Sequence, residues 1–403
     1  MRGPVRVLLI GNYARDEQQS MQRFVRVLLD QLSIRGVPVE LLSPQPVWGR
    51  RGDPQAGLGK WLGYLDKFVL FPAVLRRHLG KAQAAATSPL VAHVCDHSNA
   101  AYTRSLSRVP HLVTCHDLLA VRSSLGEVPE NPTRWTGRQL QRMILRGLNR
   151  AGRATCISEA TLRDLLRLSN IDPARADVTE MGLNYPYSPM PAGAAQPLLA
   201  GLLAKHQASF APAVLPQPAE PAPAPYILHV GGNQWYKNRL GVLRIYAHLL
   251  AAEPGAPRLL MVGKPFTEEL NQFVADQAMQ ARVVAIPSCG DEELRALYSL
   301  AELLLFPSLE EGFGWPIAEA QACGCRVITT RKPPMTTVGG AAAGYFSPAD
   351  IEGAAASLLG MLREPAAERQ RRIDRGLQNA KRFSTSGMID KYLHIYGELA
   401  PPH

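Results

Sequence analysis

Glu311 and Glu319 have seven residues between them and flank the segment Gly312-Phe313-Gly314-Trp315-Pro316, directly after the apolar run Leu303–Phe306. Two carboxylates at such a turn can border one pocket. There they could stabilise a developing positive charge or accept hydrogen bonds from hydroxyl groups. Gly312 and Gly314 allow a ligand to approach the backbone closely. Pro316 suits the first helical position, where free N–H groups face an anion. This spacing predicts that Glu319 lies in the first helical turn. A strand–loop–helix junction carrying two solvated glutamates fits the same spacing.

A second glycine loop, Gly231-Gly232-Asn233-Gln234-Trp235-Tyr236-Lys237-Asn238, follows the run Tyr226–Val230. Glycines after a strand and a lysine near the next helix point to phosphate binding, although the Gly-x-x-x-x-Gly-Lys-Ser/Thr spacing is absent. A plain strand-to-helix turn is the competing reading. In the first half, His116-Asp117 and Cys95-Asp96-His97 each stand at a predicted strand end. No Asp-x-Asp pair is present, and no metal is expected. The six cysteines are scattered, and Cys323-Gly324-Cys325 has no second cysteine or histidine cluster nearby. Neither a disulfide framework nor a zinc site is predicted.

The elements that must position these residues alternate between strand and helix. Val5–Ile10, Val37–Leu42, Val91–Cys95, His111–Cys115, Ala154–Ile157 and Asp177–Met181 read as strands, with helices over 18–34, 61–79, 135–150 and 159–168. Residues 211–225 break the pattern, since eleven of the fifteen are Ala or Pro. Strands return at Tyr226–Val230, Arg258–Val262, Val283–Ile286, Leu303–Phe306 and Arg326–Thr330, and helices over 349–362, 365–382 and 386–398 close the chain. The expected fold is α/β: two doubly wound, Rossmann-like domains facing each other across a cleft. Residues 1–190 form the first domain, 191–225 a linker and 226–385 the second domain. Residues 386–403 are a C-terminal helix and tail packing back on the first. The 403 residues allow two domains at roughly 150 each.

Taken together, these segments resemble the family 4 glycosyltransferases, retaining enzymes of the GT-B fold with nucleotide-sugar donors. The resemblance rests on 113–121 (VTCHDLLAV), 154–161 (ATCISEAT), 226–238 (YILHVGGNQWYKN) and 306–330, which holds the two glutamates around Gly-Phe-Gly. It implies catalytic roles for Glu311, His116 and Lys237, with Lys237 on the donor diphosphate and Glu311 at the transferred sugar. His116 would lie near the sugar's 6-position. Gly232, Asn233, Gly312, Phe313, Gly314 and Trp315 would bind donor, and Glu319 would take its ribose hydroxyls. Gly11, Asn12 and Asp117 would border the acceptor. The donor is a substrate, so no cofactor is implied. Three positions depart from the family pattern: Tyr236 stands where many members have Arg, Thr337 where some have Glu, and the first loop lacks its second glycine. A catalytically silent GT-B subunit and a sugar-nucleotide epimerase are therefore carried as alternatives.

The net charge of +10 favours anionic partners. Trp61, Tyr64, Phe68, Phe71 and Leu75 recur at helical spacing beside Lys60, Lys67, Arg76, Arg77 and Lys81. This suits either an interfacial helix on anionic lipid or a core helix with basic ends. Arg134, Arg138, Arg142, Arg146 and Arg150 wind slowly round another helix, each step overshooting a turn by about 40°. No recognisable nucleic-acid module is present, so nucleic acid is excluded as a partner. The expected partners are a nucleotide sugar, a glycan or lipid-linked acceptor and the inner face of an anionic membrane. No signal peptide or spanning run is read from the sequence, and the expected compartment is cytoplasmic.

Overall fold

The computed structural model describes residues 5–16, 18–50, 57–84, 88–207 and 225–400. The chain divides into two compact units: 1–184 with 385–403, and 185–384. Each is built on a six-stranded parallel sheet.

In the first unit the strands are β1 (Arg6–Ile10), β2 (Val39–Leu42), β3 (Leu90–Val94), β4 (His111–Cys115), β5 (Arg153–Cys156) and β6 (Ala176–Val178). Their order across the sheet is β2-β1-β3-β4-β5-β6. The chain moves one way from β1 to β2 and the other way from β3 onward, so the loops after β1 and β3 diverge. That divergence is the topological switch point, where open parallel sheets bind ligands. Helices Phe71–Ala84 and Trp135–Leu148 and the 3-10 segment His97–Leu106 contribute Phe71, Leu75, Tyr102, Leu106, Ile144 and Leu148 to one apolar cluster. They therefore cover one face of the sheet.

The C-terminal helix Thr385–Leu399 belongs to this unit. It is fastened by polar bonds inside the core: His93 Nδ1 meets Tyr396 Oη at 2.7 Å, His93 Nε2 meets Thr114 Oγ1 at 2.7 Å, and Thr114 Oγ1 meets Tyr392 Oη at 3.0 Å. Burial, with the nearby His116 charge second, drives the His93 pKa down to about 3, so the ring is neutral.

In the second unit β7 (Tyr226–Val230), β8 (Arg258–Val262), β9 (Val283–Ile286), β10 (Leu303–Phe306), β11 (Val327–Thr330) and β12 (Gly344–Phe346) run in the order β12-β11-β10-β7-β8-β9. The switch point here lies between β7 and β10. Strand β12 escapes sequence reading because three residues carry no usable period. The expected linker over 191–225 is only partly irregular. Ala192–Gln207 is a helix packed on Asp291–Leu300, with Ala195, Met190 and Ala296 in a small apolar cluster. Residues 208–224 of that linker lie outside the described residues.

The aromatic stripe over 61–75 also differs from expectation. Phe71 and Leu75 are buried in the core, whereas Leu58, Trp61, Leu65 and Val69 face outward. The cause is a π-helical segment, Asp66–Leu70, between the helices Gly57–Leu65 and Phe71–Ala84. Its extra residue per turn shifts the phase, so residues before and after it do not share the face that a 3.6 period assigns.

Candidate active site

The second unit's switch point is spanned by three bonds between the loops that follow β7 and β10. The Leu309 N–H donates to the Tyr236 carbonyl at 2.8 Å, and Asn238 Nδ2 donates to the Pro307 carbonyl at 3.1 Å. Lys237 Nζ donates to Glu311 Oε1 at 2.7 Å, both side chains being largely buried. Asn238 adopts the left-handed conformation (φ 52°), and its side chain caps the helix Arg239–Ala252 by accepting from the Gly241 N–H at 3.2 Å. The loop thus holds the lysine stem in place. Lys237 Nζ also stands 5.3 Å from the centre of the Phe306 ring. A charged donor and a carboxylate, 74 residues apart in sequence, are in direct contact in this water-poor corner.

Gly314, at φ 99°, turns the chain into the helix Trp315–Ala322. Its conformation is one that only glycine adopts without strain. Pro316 is the second residue of that helix and Glu319 the fifth, so Glu319 lies beyond the first turn, contrary to the sequence expectation. It is buried instead of solvated and accepts from Tyr298 Oη at 2.9 Å. Burial first, and then the Glu319 charge, hold that phenol well above its usual range, so it stays a donor. Phe313 packs edge-to-face on Phe383, with ring centroids 5.3 Å apart. Its side chain is a core anchor while its backbone forms the turn.

The first unit's switch point is organised around a buried carboxylate. Asp96, just after β3, accepts from Asn12 Nδ2 at 2.5 Å and from the Ser98 N–H at 2.9 Å and Ser98 Oγ at 2.7 Å. Asn99 Nδ2 donates to Asn12 Oδ1 at 3.2 Å. Burial raises the Asp96 carboxyl, but the neighbouring His97 and His116, the Ser98 N–H and Asn12 outweigh it, and the net shift is downward. His116 is buried, stacked edge-on against Phe24 at 4.9 Å, and hydrogen-bonded through Nε2 to the Cys95 carbonyl at 2.8 Å. Burial keeps it neutral at ordinary pH.

Residues 213–379 match the glycosyl transferases group 1, and residues 21–185 match glycosyltransferase family 4. The chain belongs to the family 4 glycosyltransferases. It is 25% identical over 287 residues to the O-antigen chain mannosyltransferase B of Escherichia coli, covering 71% of this chain and 69% of that protein. It is 28% identical over 312 residues to a D-inositol 3-phosphate glycosyltransferase of Mycolicibacterium vanbaalenii, covering 73% and 63%. Among solved structures, sucrose-phosphate synthase of Thermosynechococcus elongatus aligns with TM-score 0.70 at 19% identity, covering 98% of each chain. Anabaena HepE, in complex with UDP and glucose, aligns with TM-score 0.68 at 14% identity, covering 96% of this chain and 98% of its own. These structures carry the GT-B fold, and family membership places the chain among sugar-transferring enzymes.

In this glycosyltransferase the anticipated residues fall into distinct groups. Lys237, Glu311, Gly312 and Gly314 gather at the second switch point, with Glu319 and Trp315 on the following helix. Gly232 and Asn233 lie in the β7 loop, but Asn233 is turned toward the β8 loop. Its Nδ2 donates to the Pro265 carbonyl at 2.9 Å, and its Oδ1 accepts from Arg239. Gly11 and Asn12 sit at the first switch point. A Cβ on Gly11 would come within 2.5 Å of Ser43 Oγ, so a larger residue there would make the serine side chain move. Asp117 is committed locally, its Oδ1 accepting from the Leu119 N–H at 3.0 Å, at the start of the short helix Leu119–Ser124. Sequence reasoning missed Asp96, Asn99 and Tyr298 as partners. Asp96 had a signal, being an acidic residue at a strand end beside the switch point; Tyr298 had none, since it reads as one more apolar position of a helix.

Proposed function

We propose that this chain transfers a sugar from a nucleotide-sugar donor to a glycan or lipid-linked acceptor, with retention and without a metal, in the building of a cell-surface polysaccharide. The observation that carries this reading is the Lys237–Glu311 pair at the switch point, 2.7 Å across and largely out of water. A donor diphosphate arriving there brings the anion that Lys237 now finds in Glu311. The lysine can turn to the phosphate and leave the carboxylate facing the sugar. As the C1–O bond to phosphate breaks, negative charge grows on the diphosphate and positive charge on the sugar ring. Lys237 and the N–H groups at the start of Trp315–Ala322 oppose the first, and Glu311 the second. The acceptor hydroxyl attacks C1 from the face that the phosphate leaves, and its proton passes to the departing phosphate oxygen. Glu319, oriented by Tyr298, suits hydroxyl recognition on the donor.

Support for a nucleotide donor comes from the UDP and glucose bound to Anabaena HepE, and for a polysaccharide role from the E. coli O-antigen mannosyltransferase. Among the described residues, no group of three or more His, Cys, Asp or Glu is placed to hold a metal ion. An acceptor carried on lipid would bring the first unit to an anionic bilayer surface. The deciding experiment incubates the chain with UDP-, GDP- and ADP-sugars and measures nucleoside diphosphate release. The anomeric configuration of the product is then read by NMR. No release with any donor would support the silent-subunit alternative, and an inverted product would exclude retention.

A further inference from the structure

We infer that the first unit carries a preorganised docking platform for an anionic lipid bilayer, formed by Val47, Trp48, Leu58, Trp61, Leu65 and Val69. This rests on the reading of a lipid-linked acceptor for its biological sense, but not for its physical argument. Soluble domains rarely leave large apolar side chains grouped in water. Here Leu58 is 74% exposed, Trp61 55% and Val69 56%, and with Leu65 they follow one another along the Gly57–Leu65 helix and the π-helical segment. Trp61 is edge-on to Tyr64 at 5.7 Å.

The second observation is that a buried carboxylate holds the neighbouring loop in place. Asp66, 1% exposed, accepts from the Val47, Trp48 and Gly49 N–H groups at 3.0, 3.0 and 2.9 Å and from Tyr13 Oη at 3.0 Å. Burial pushes its carboxyl upward, yet these donors more than offset it and the net shift is downward. Tyr13 correspondingly rises to about 12, through burial and the bond to Asp66. An ionised carboxylate inside a fold is unfavourable unless fully bonded. Here its bonds hold a loop whose Val47 and Trp48 side chains project into solvent, 50% and 46% exposed. The same bonds tie this loop, with its buried Gly49, to the buried Tyr13. Fixing the loop reduces the ordering cost of presenting two apolar side chains to a partner.

The third observation is charge. The first unit holds 26 basic and 17 acidic residues and the second 18 and 17, so nearly all of the net +10 belongs to the unit with the platform. Arg50, Lys60, Arg76, Arg77 and Lys81 are exposed on or beside the platform's own elements. The five arginines from Arg134 to Arg150 are exposed too, on or flanking the helix Trp135–Leu148, which lies in the same layer as Phe71–Ala84. Among the described residues none of these ten cations has a carboxylate partner. Tryptophan and leucine beside unpaired cations match a surface of acyl chains under anionic headgroups.

The test uses the full chain and flotation with vesicles of phosphatidylcholine alone or with about one third phosphatidylglycerol, and needs neither donor nor turnover. The expected result is flotation with anionic vesicles, a blue shift of tryptophan fluorescence, and release at high salt. Trp48→Ser with Trp61→Ser should weaken binding at least tenfold while the protein stays folded with at most a small drop in melting temperature, because about half of each residue is in solvent. Asp66→Asn should weaken it also, while Lys60→Gln with Arg76→Gln and Arg77→Gln should remove most of the salt dependence. Three outcomes overturn the proposal: no flotation with anionic vesicles, full flotation of the double Trp variant, or a dimer in solution that this variant dissociates. Transfer to a soluble acceptor, measured on the same variants, should be unchanged. Its absence in the wild-type chain would count against the transferase reading and leave the platform intact.

Discussion

The two switch points of this glycosyltransferase solve the same positional problem with different chemistry. In the second unit a cation and an anion, Lys237 and Glu311, bridge the loops after β7 and β10. In the first unit an amide and a carboxylate, Asn12 and Asp96, bridge the loops after β1 and β3, and a second amide, Asn99, fixes the orientation of the first. The ion pair can exchange partners when a charged ligand arrives. The amide network cannot release its charge as readily, because Asp96 is buried and already accepts from Asn12 and from the Ser98 N–H and hydroxyl. Under the proposed function the difference assigns phosphate chemistry to the loops that can lose an ion pair, and neutral hydroxyl recognition to the loops that stay bonded.

The largest expected effect tests the exchangeable pair. Glu311→Gln keeps the shape and removes the charge that would oppose the departing sugar, so turnover should fall roughly a hundredfold or more. Donor KM should change little. Steady-state kinetics with the correct donor decide it, and full turnover in the variant would reduce the pair to a structural link. A smaller effect is expected one layer back. Tyr298→Phe removes the 2.9 Å bond to Glu319, a bond to a charged acceptor worth roughly 1.5–3 kcal/mol. Urea denaturation should show a loss of that order, with donor KM raised more than kcat is lowered. A stability loss with unchanged KM would separate Glu319 from the donor.

The central strands extend the comparison to stability. Each unit buries a neutral histidine, His93 in β3 and His229 in β7, and burial drives both to a pKa of about 3. The unfolded chain would protonate them near 6.5, so it binds more protons than the native state between about pH 6.5 and 3. Stability should therefore fall as pH drops through that window, by about 1.4 kcal/mol per pH unit for each histidine. His93 has partners at both ring nitrogens, whereas His229 bonds only the Leu305 carbonyl through Nδ1 and its Nε2 has no partner among the described residues. His93→Leu should cost about 1–3 kcal/mol at pH 7, since it orphans the buried Tyr396 hydroxyl. His229→Leu should cost less. Melting temperatures from pH 4 to 7 check both the slope and the ranking. The smallest effect expected is none: EDTA should leave turnover of the correct donor unchanged, and loss of activity restored by manganese would displace Lys237 from the diphosphate.

Much of this was legible in the sequence because it is local. The strand before Glu311, the left-handed turn at Gly314 and the proline near the helix start all lie within a dozen residues, where backbone sterics decide conformation. The strand–helix alternation is equally local, and it carried the α/β fold. Glu319 was misplaced by less than one turn, since a turn's length shifts the helix start without changing the pattern. Folding alone decided that Lys237 meets Glu311 across 74 residues, that Asp96 meets Asn12 across 84, and that Tyr298 backs Glu319. It also set the outward face of 58–69, because a π-helical segment changes phase through hydrogen bonding that the apolar pattern does not encode. Short-range sterics and hydrophobic period write the elements into the sequence. Contacts between loops depend on how two strands become neighbours in a sheet, and no local pattern records that.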